Sequence, residues 1–389
     1  MKIDEKLLCI LPKEKIEGIY THANAGRFAI ECPTRMIVDG IAEESFERID
    51  KFVFSLDGSR YAYAATKGEH SFFVVDGQIQ QQFDSIRWNT LKAGPGGKFV
   101  FAAKKGDHIF VILDDKQFGP LEAYPGDNYQ RTSPIAFNSS GEKVAYAGKR
   151  NGNYALEVNG IRSKEEFSFA RSFVFGKGGE VAYRARRNNA WVAVYKNEIW
   201  GPYERCCAPA ISEDGSECAY LASNENASHA YINGKKIEGP YTRHGLHCLF
   251  SKSGVAYDAQ VKLTGEDKSF VVINGNRGPY HEFIRGLTLS NDGCSYAYIA
   301  VEDNGEYLVL NEDSFGPYSD LVHLTVTISP DGKRVACLSS AGEDFVLINS
   351  KKGPKFDAQY GKMYWTEDGK CLRYTVVRED KLLLVEHRF

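Results

Sequence analysis

The stretch ISEDGSECAYLASNENASHAYINGKKIEGPY, Ile211 to Tyr241, is made of four short extended runs separated by turn residues. Ile211-Ser212 leads into Asp214-Gly215, and Cys218 to Leu221 leads out. Ala230 to Ile232 then meets Asn233-Gly234, and the phrase closes on Gly239-Pro240-Tyr241. Asp-Gly and Asn-Gly between extended runs are hairpin signals, because glycine accepts the positive φ that tight hairpin turns demand. Two hairpins give four strands. A second copy, ISPDGKRVACLSSAGEDFVLINSKKGPK from Ile328, follows the same plan. Periodicity of this kind has to be read before any local motif.

One glycine per copy fixes the register: Gly26, Gly58, Gly97, Gly141, Gly179, Gly215, Gly254, Gly293, Gly332 and Gly369, spaced 32 to 44 residues apart. This spacing leaves no room for a linker or an inserted domain. An Ala-Tyr pair recurs after the turn at Ala62-Tyr63, Ala145-Tyr146, Ala182-Tyr183, Ala219-Tyr220, Ala256-Tyr257 and Ala297-Tyr298. A small residue beside an aromatic at fixed register suits a twisted sheet packed closely on another sheet. Gly-Pro-Tyr follows the second hairpin at Gly201, Gly239, Gly278 and Gly316. Proline cannot donate to a ladder, so the fourth strand is an outer edge. Four-stranded meanders with proline-blunted edges, repeated radially, describe β-propeller blades.

The phrase ISPDGKRVA at Ile328 to Ala336, with FSLDGSRYA at Phe54 and ISEDGSECA at Ile211, resembles the WD40-like repeat of TolB-type bacterial propellers. The resemblance covers nearly the whole chain and implies a fold, not a function. Propellers of that kind serve as partner-binding scaffolds, as regulatory domains beside hydrolases and occasionally as enzymes. The Gly-Pro-Tyr ending departs from the repeat, and no functional residue is carried over.

The expected architecture is all-β, a single-ring β-propeller of about ten four-stranded blades with nine as the fallback, forming one domain over residues 1–389. The copy at Gly369 stops before a fourth strand, whereas Leu7 to Leu11 and Lys15 to Tyr20 read as a spare third and fourth strand. Strands from both termini are therefore expected to share a blade and close the ring. Length alone would suggest two or three domains, and the repeat overrides that prior.

The 389 residues are 43% hydrophobic and 25% charged, with a formal net charge of −3, so bulk electrostatics give no reason to expect nucleic acid or an anionic membrane as partner. No stretch of 18 apolar residues exists, and Met1 to Leu11 is too short and too charged for a signal peptide. Nine cysteines without a Cys-x-x-Cys read as small core residues of a reduced, cytoplasmic protein, with Cys218, Cys294, Cys337 and Cys371 on second strands.

The search for catalytic chemistry returns little. There is no Gly-x-Ser-x-Gly elbow and no helical run able to hold a hydrolase domain. His244-x-x-His247 lacks a nearby third ligand, and Gly94 to Gly97 is a hairpin turn, not a phosphate loop. No catalytic, cofactor or metal residue is assigned, although carboxylates meeting in a central channel would allow metal-dependent hydrolysis or lysis. One pattern stands above turn chemistry. Arg48, Arg87, Arg131, Arg171, Arg205, Arg243 and Arg285 recur where one copy passes into the next, 8 to 11 residues before the following glycine. If they gather near the channel mouth they form a rim for an anionic or acidic partner, since the arginine fork pairs with carboxylate and phosphate. The alternative is that they pair with acids such as Glu47, Asp84 or Glu204 and tie blades together. The expected function is a non-enzymatic, protein-binding scaffold working through inter-blade loops. A channel-centred enzyme and a structural subunit of a larger complex are the rivals.

Overall fold

The computed structural model describes residues 2–124, 134–225, 227–251, 254–263, 265–290, 292–340, 342 and 344–389, the side chains of 244, 246, 247 and 251 excepted. Its strands pair into ten antiparallel sheets, each a four-stranded meander, with the first strand of the sixth broken into two pieces. We number the sheets as blades 1 to 10 in chain order. The chain is all-β, a ten-bladed β-propeller fold, with two short 3-10 turns at Pro95–Gly97 and His323–Thr325 as its helical content among the described residues.

The residues fall into two compact units. One, Pro12–Cys218, holds blades 1 to 5 and the opening segments of blade 6; the other, Met1–Leu11 with Ala219–Phe389, holds the rest. Blade 5 shows the plan in the first unit. Its strands are Phe169–Phe175, Val181–Arg187, Ala190–Tyr195 and Glu198–Tyr203, paired in that order.

The turn chemistry read from the sequence is what joins first and second strands. Ser55 donates from Oγ to Asp57 Oδ1 at 2.6 Å and accepts the Arg60 N–H at 2.9 Å, while Asp57 accepts the Ser59 N–H at 3.1 Å. Gly58 sits at φ 73°, where a Cβ would lie 2.6 Å from His22 and Ala25, so only glycine fits there. Ser212, Ser290, Ser329 and Thr366 build the same turn with Asp214, Asp292, Asp331 and Asp368. The carboxyls of Asp57, Asp214, Asp331 and Asp368 are held below the ordinary value. Hydroxyl and backbone donors hold Asp57 and Asp214 down to about 2.

Alternation along the second strand divides the core between the two faces of a blade. Ala297 packs with Leu321, Ile328, Val335 and Cys337 of blade 9 or its approach, and the next residue, Tyr298, packs with Val271 of blade 7. Both are essentially inaccessible, and Ala219 is 1% exposed, as the repeat requires.

The two termini share blade 10. Lys2–Ile10 pairs antiparallel with Lys381–Arg388 as the outermost strand of the sheet that also contains Ala358–Trp365 and Cys371–Arg378. A single N-terminal strand does this. Lys15 to Tyr20 is not a fourth strand: pairing begins at Gly18, and Gly18–His22 is the first strand of blade 1. The Gly-Pro steps at Gly201, Gly239 and Gly316 lie on outer strands, beside interruptions of the ladder with the third strand. Cys294 departs from expectation, being exposed in the turn before Tyr296–Glu302 and not on a strand. All nine cysteines are free thiols.

Blade 4 contains a buried ion centre. Glu157, with its side chain 0% exposed, accepts from Arg150 at 3.0 Å, from Arg162 at 3.2 Å and from the Tyr146 hydroxyl at 3.2 Å. The corresponding third-strand residues Val74, Ile112 and Val194 are aliphatic and buried. Two guanidinium groups and a hydroxyl satisfy the carboxylate, which is the condition for tolerating a buried charge.

Candidate functional site

Blade 5 carries charge where its neighbours carry aliphatic side chains. The residue after the Ala-Tyr pair is Ala64, Ala147, Leu221 or Ile299 in blades 2, 4, 6 and 8, all at 3% exposure or less, and Asp258 in blade 7; in blade 5 it is Arg184. The strand register brings a second arginine beside it. Arg171 of the first strand pairs with Arg184, and Phe169 pairs with Arg186, which in turn pairs with Trp191 of the third strand. With a period of two, residues 169, 171, 184, 186 and 191 all project from one face.

The three guanidinium groups converge on the indole. Their Cζ atoms lie 4.9 Å (Arg171), 5.1 Å (Arg184) and 4.9 Å (Arg186) from the Trp191 ring centroid. No two of them can be farther apart than about 10 Å, the distance over which 0.1 M salt screens charge. Each contact with the ring is worth about 0.5–1 kcal/mol where exposed, which offsets part of their mutual repulsion. Phe169 meets Trp191 edge to face at 6.2 Å, so an apolar wall backs the cations.

The cluster has a fixed member and a free one. Arg184 donates from Nε to Ser172 Oγ at 3.2 Å and from Nη1 to the carbonyl of Cys206. Arg186 is exposed and forms no ion pair among the described residues. The turn that follows, Asn188-Asn189, has both residues at positive φ, 51° and 64°, the geometry of a two-residue hairpin. Between Glu180 and Glu198 the chain carries Arg184, Arg186, Arg187 and Lys196 and no carboxylate. Arg187 points elsewhere, to Glu165 at 2.6 Å.

Of the seven arginines singled out by spacing, those in described segments lie at the start of first strands and not in the connections before them. Arg171 belongs to the cluster just described. Arg205 is exposed and immediately precedes Cys206, whose carbonyl Arg184 holds. Arg48 pairs with Asp50 of its own strand at 2.6 Å, and Arg87 lies over the Tyr124 ring at 5.9 Å. Arg131 lies outside the described residues. In the other unit Arg285 pairs with Glu306, with Asp320 at 4.0 Å, and Arg243 opens the strand Arg243–Ser251, where its charge acts on Asp258. His244 and His247 lie on that same strand, with side chains outside the described ones. Spacing missed Arg184, Arg186 and Trp191. Their signal was the phrase YRARRNNAW, Tyr183 to Trp191, with arginines two apart on the second strand and a tryptophan opening the third.

A second concavity lies within the other unit, between the outer strands of blades 7 and 8. A cleft of about 540 Å³ is lined by His281, Tyr296, Tyr298 and Arg277, and a hollow of about 440 Å³ beside Glu302 and Tyr307 shares His281 and Ser314 with it. His281 contacts Glu302 Oε1 through Nδ1 at 2.5 Å and the Tyr298 hydroxyl through Nε2 at 3.2 Å. Both ring nitrogens are engaged, so the imidazole has none left to offer a substrate. Among the described residues no group of three or more His, Cys, Asp or Glu is placed to hold a metal ion.

Among solved structures, a protein described as the eukaryotic initiation factor superimposes with a TM-score of 0.51 at 10% identity, over 88% of this chain and 97% of that one. The chain has the β-propeller fold. Weaker likenesses are the Dos1 propeller, with a TM-score of 0.39 at 10% identity over 87% of this chain and 91% of that one, and TolB from Acinetobacter baumannii. The latter gives 0.31 at 14% identity, over 74% and 78%. No protein-family profile and no curated protein matches the sequence. At such identities the propeller likeness speaks for fold alone. No helix among the described residues is long and apolar enough to cross a membrane.

Proposed function

We propose that this propeller is a non-enzymatic interaction scaffold that binds an acidic segment of a protein partner on the basic-aromatic face of blade 5. The observation that carries this reading is the convergence of Arg171, Arg184 and Arg186 on Trp191. Three cationic side chains on one sheet face raise the local positive potential, and an anionic partner is drawn to it. Arginine and tryptophan are also the residues most often found at the energetic centre of protein interfaces. A strand framework keeps them in place before the partner arrives, which lowers the ordering cost of binding. Nine free thiols suit a reducing compartment, and we assign the protein to the cytoplasm on that ground.

The reading is tested by titrating a fluorescent Glu-rich peptide into the full chain. Binding should weaken steeply between about 50 and 200 mM salt, and the Arg171→Gln/Arg186→Gln protein should lose it while melting with the parent. A peptide that binds both proteins equally would place the contact elsewhere.

A further inference from the structure

We infer that the outer strand of blade 2, Gln78–Phe83, is a self-pairing edge through which two copies of this chain join antiparallel about a two-fold axis. The inference is independent of the blade 5 site. Every blade ends its sheet in a strand whose outer side pairs with no other strand among the described residues, and such an edge is a template for pairing unless something blunts it. In blades 1, 4 and 7 the outer strand is only two residues long, Ile41–Ala42, Ile161–Arg162 and Asn276–Arg277. Blades 3, 5, 6, 8 and 9 interrupt theirs with Pro120, Pro202, Pro240, Pro317 and Pro354, and each of those strands also carries at least one charged residue. The outer strand of blade 10 holds Lys2, Asp4, Glu5 and Lys6. Blade 2 has none of these protections: its outer strand, QIQQQF, is six residues long and contains no proline and no charge.

The strand is held in place before any partner arrives. Its last residue, Phe83, is buried and meets the Phe101 ring at 5.5 Å, which pins the edge to the core between blades 2 and 3, while the five residues before it are exposed. A register shift at Gln80 is shared with the proline-bearing strands, and it bends an edge without removing a donor from it. The carboxylates that flank the strand are already engaged: Asp76 accepts from Arg60 at 2.8 Å and Asp84 from the Gly106 N–H at 2.7 Å. The occupant follows from the side chains. A two-fold axis sets the strand against itself, where like charges opposite one another would destabilise the pair. Glutamine amides avoid that conflict, since each carries donors and an acceptor and one amide can satisfy another across the seam. Gln80 already donates to the Gln78 carbonyl at 3.2 Å, which leaves the amides of Gln78, Gln81 and Gln82 for the seam, and the exposed Ile79 adds an apolar contact. A strand rich in acid or base would find no complementary charge here, whereas a second copy of the same strand meets matching amides. Two-fold closure also stops the assembly at two copies.

The test follows the mass of the full chain by sedimentation velocity across the micromolar range. We expect the mean mass to rise with concentration from one chain toward two and to go no further. Gln81→Lys/Gln82→Lys, which puts a charge on each face of the edge, should weaken pairing at least tenfold while melting with the parent, because both positions are exposed. Gln81→Glu/Gln82→Glu should do the same, and an equimolar mixture of the Lys and Glu forms should pair again. Recovery in the mixture supports the contact even where either variant alone is less stable than the parent. A parent that stays monomeric, a Lys form that pairs as the parent does, or growth past two copies would each overturn the inference. A monomeric parent that takes up a neutral strand-forming peptide, read as slowed hydrogen exchange over Gln78–Phe83, would assign the edge to a foreign strand and overturn self-pairing.

Discussion

Arg27 of blade 1 donates from Nη1 to the carbonyl oxygens of Gly58 at 3.1 Å and Ser59 at 2.9 Å, in the first turn of blade 2. Its Nε pairs with Asp39 at 2.7 Å, and its guanidinium lies over the Phe54 and Tyr61 rings. The relationship recurs: Arg60 reaches the Gly97 carbonyl at 3.4 Å, Arg334 reaches Gly369 at 3.3 Å, and Lys196 reaches Gly215 at 2.7 Å. A basic side chain from the first hairpin of one blade, or in blade 5 from the turn between its third and fourth strands, thus holds the glycine turn of the next. Arg27→Met keeps the length and apolar stem of the side chain but removes these bonds, and should cost roughly 1 to 3 kcal/mol in chemical denaturation. An unchanged denaturation midpoint would mean that the turn contact contributes nothing to stability.

The outer strand of blade 10 gives a second expectation. Removing Met1 to Leu11 strips Lys2–Ile10 from Lys381–Arg388 and uncovers that strand's backbone donors and acceptors, a template for pairing with other chains. It also breaks the two-bond pair between Arg378 and Glu5, at 3.0 and 2.9 Å. The shortened chain should melt below the parent and run as aggregate in size-exclusion chromatography. A monomer of parental stability would show that the N-terminal strand is dispensable.

Asp258 of blade 7 predicts a pH dependence. Burial pushes its carboxyl up to about 6, with its own backbone and Arg243 pulling the other way. The folded form therefore holds a proton that the unfolded chain releases at the ordinary value of about 3.9. Because the native state binds more protons between these limits, stability falls as pH rises from about 4 to about 6 and is level above. Asp258→Asn should abolish that fall and leave the protein more stable at pH 7 by on the order of 2 kcal/mol. Parallel stability profiles for the two proteins between pH 4 and 7 would assign the fall to other groups.

These expectations separate what was legible in the sequence from what was not. The hairpins at Gly58, Gly215 and Gly332 could be read directly, because turn geometry is set by a few adjacent residues. The shared terminal blade was legible from a missing strand at one end and two spare ones at the other, although a single strand, Lys2–Ile10, completes it and the stretch from Lys15 to Tyr20 leads into blade 1 instead. The site was not legible, because it is assembled across strands. Arg171, Arg184, Arg186 and Trp191 meet only through the register of three paired strands. Which arginines meet acids, as Arg285 meets Glu306 and Arg48 meets Asp50, likewise depends on cross-strand placement and not on distance from the next glycine.

The central claim is that blade 5 binds the acidic segment, and hydrogen–deuterium exchange of the full chain with and without saturating Glu-rich peptide tests it most directly. The account predicts that the ligand slows exchange in the peptide spanning Tyr183 to Trp191 and around Arg205 and Cys206, with the protection lost in Arg171→Gln/Arg186→Gln. Protection confined to the His281 cleft or to other blades, with Tyr183 to Trp191 unchanged, would contradict it.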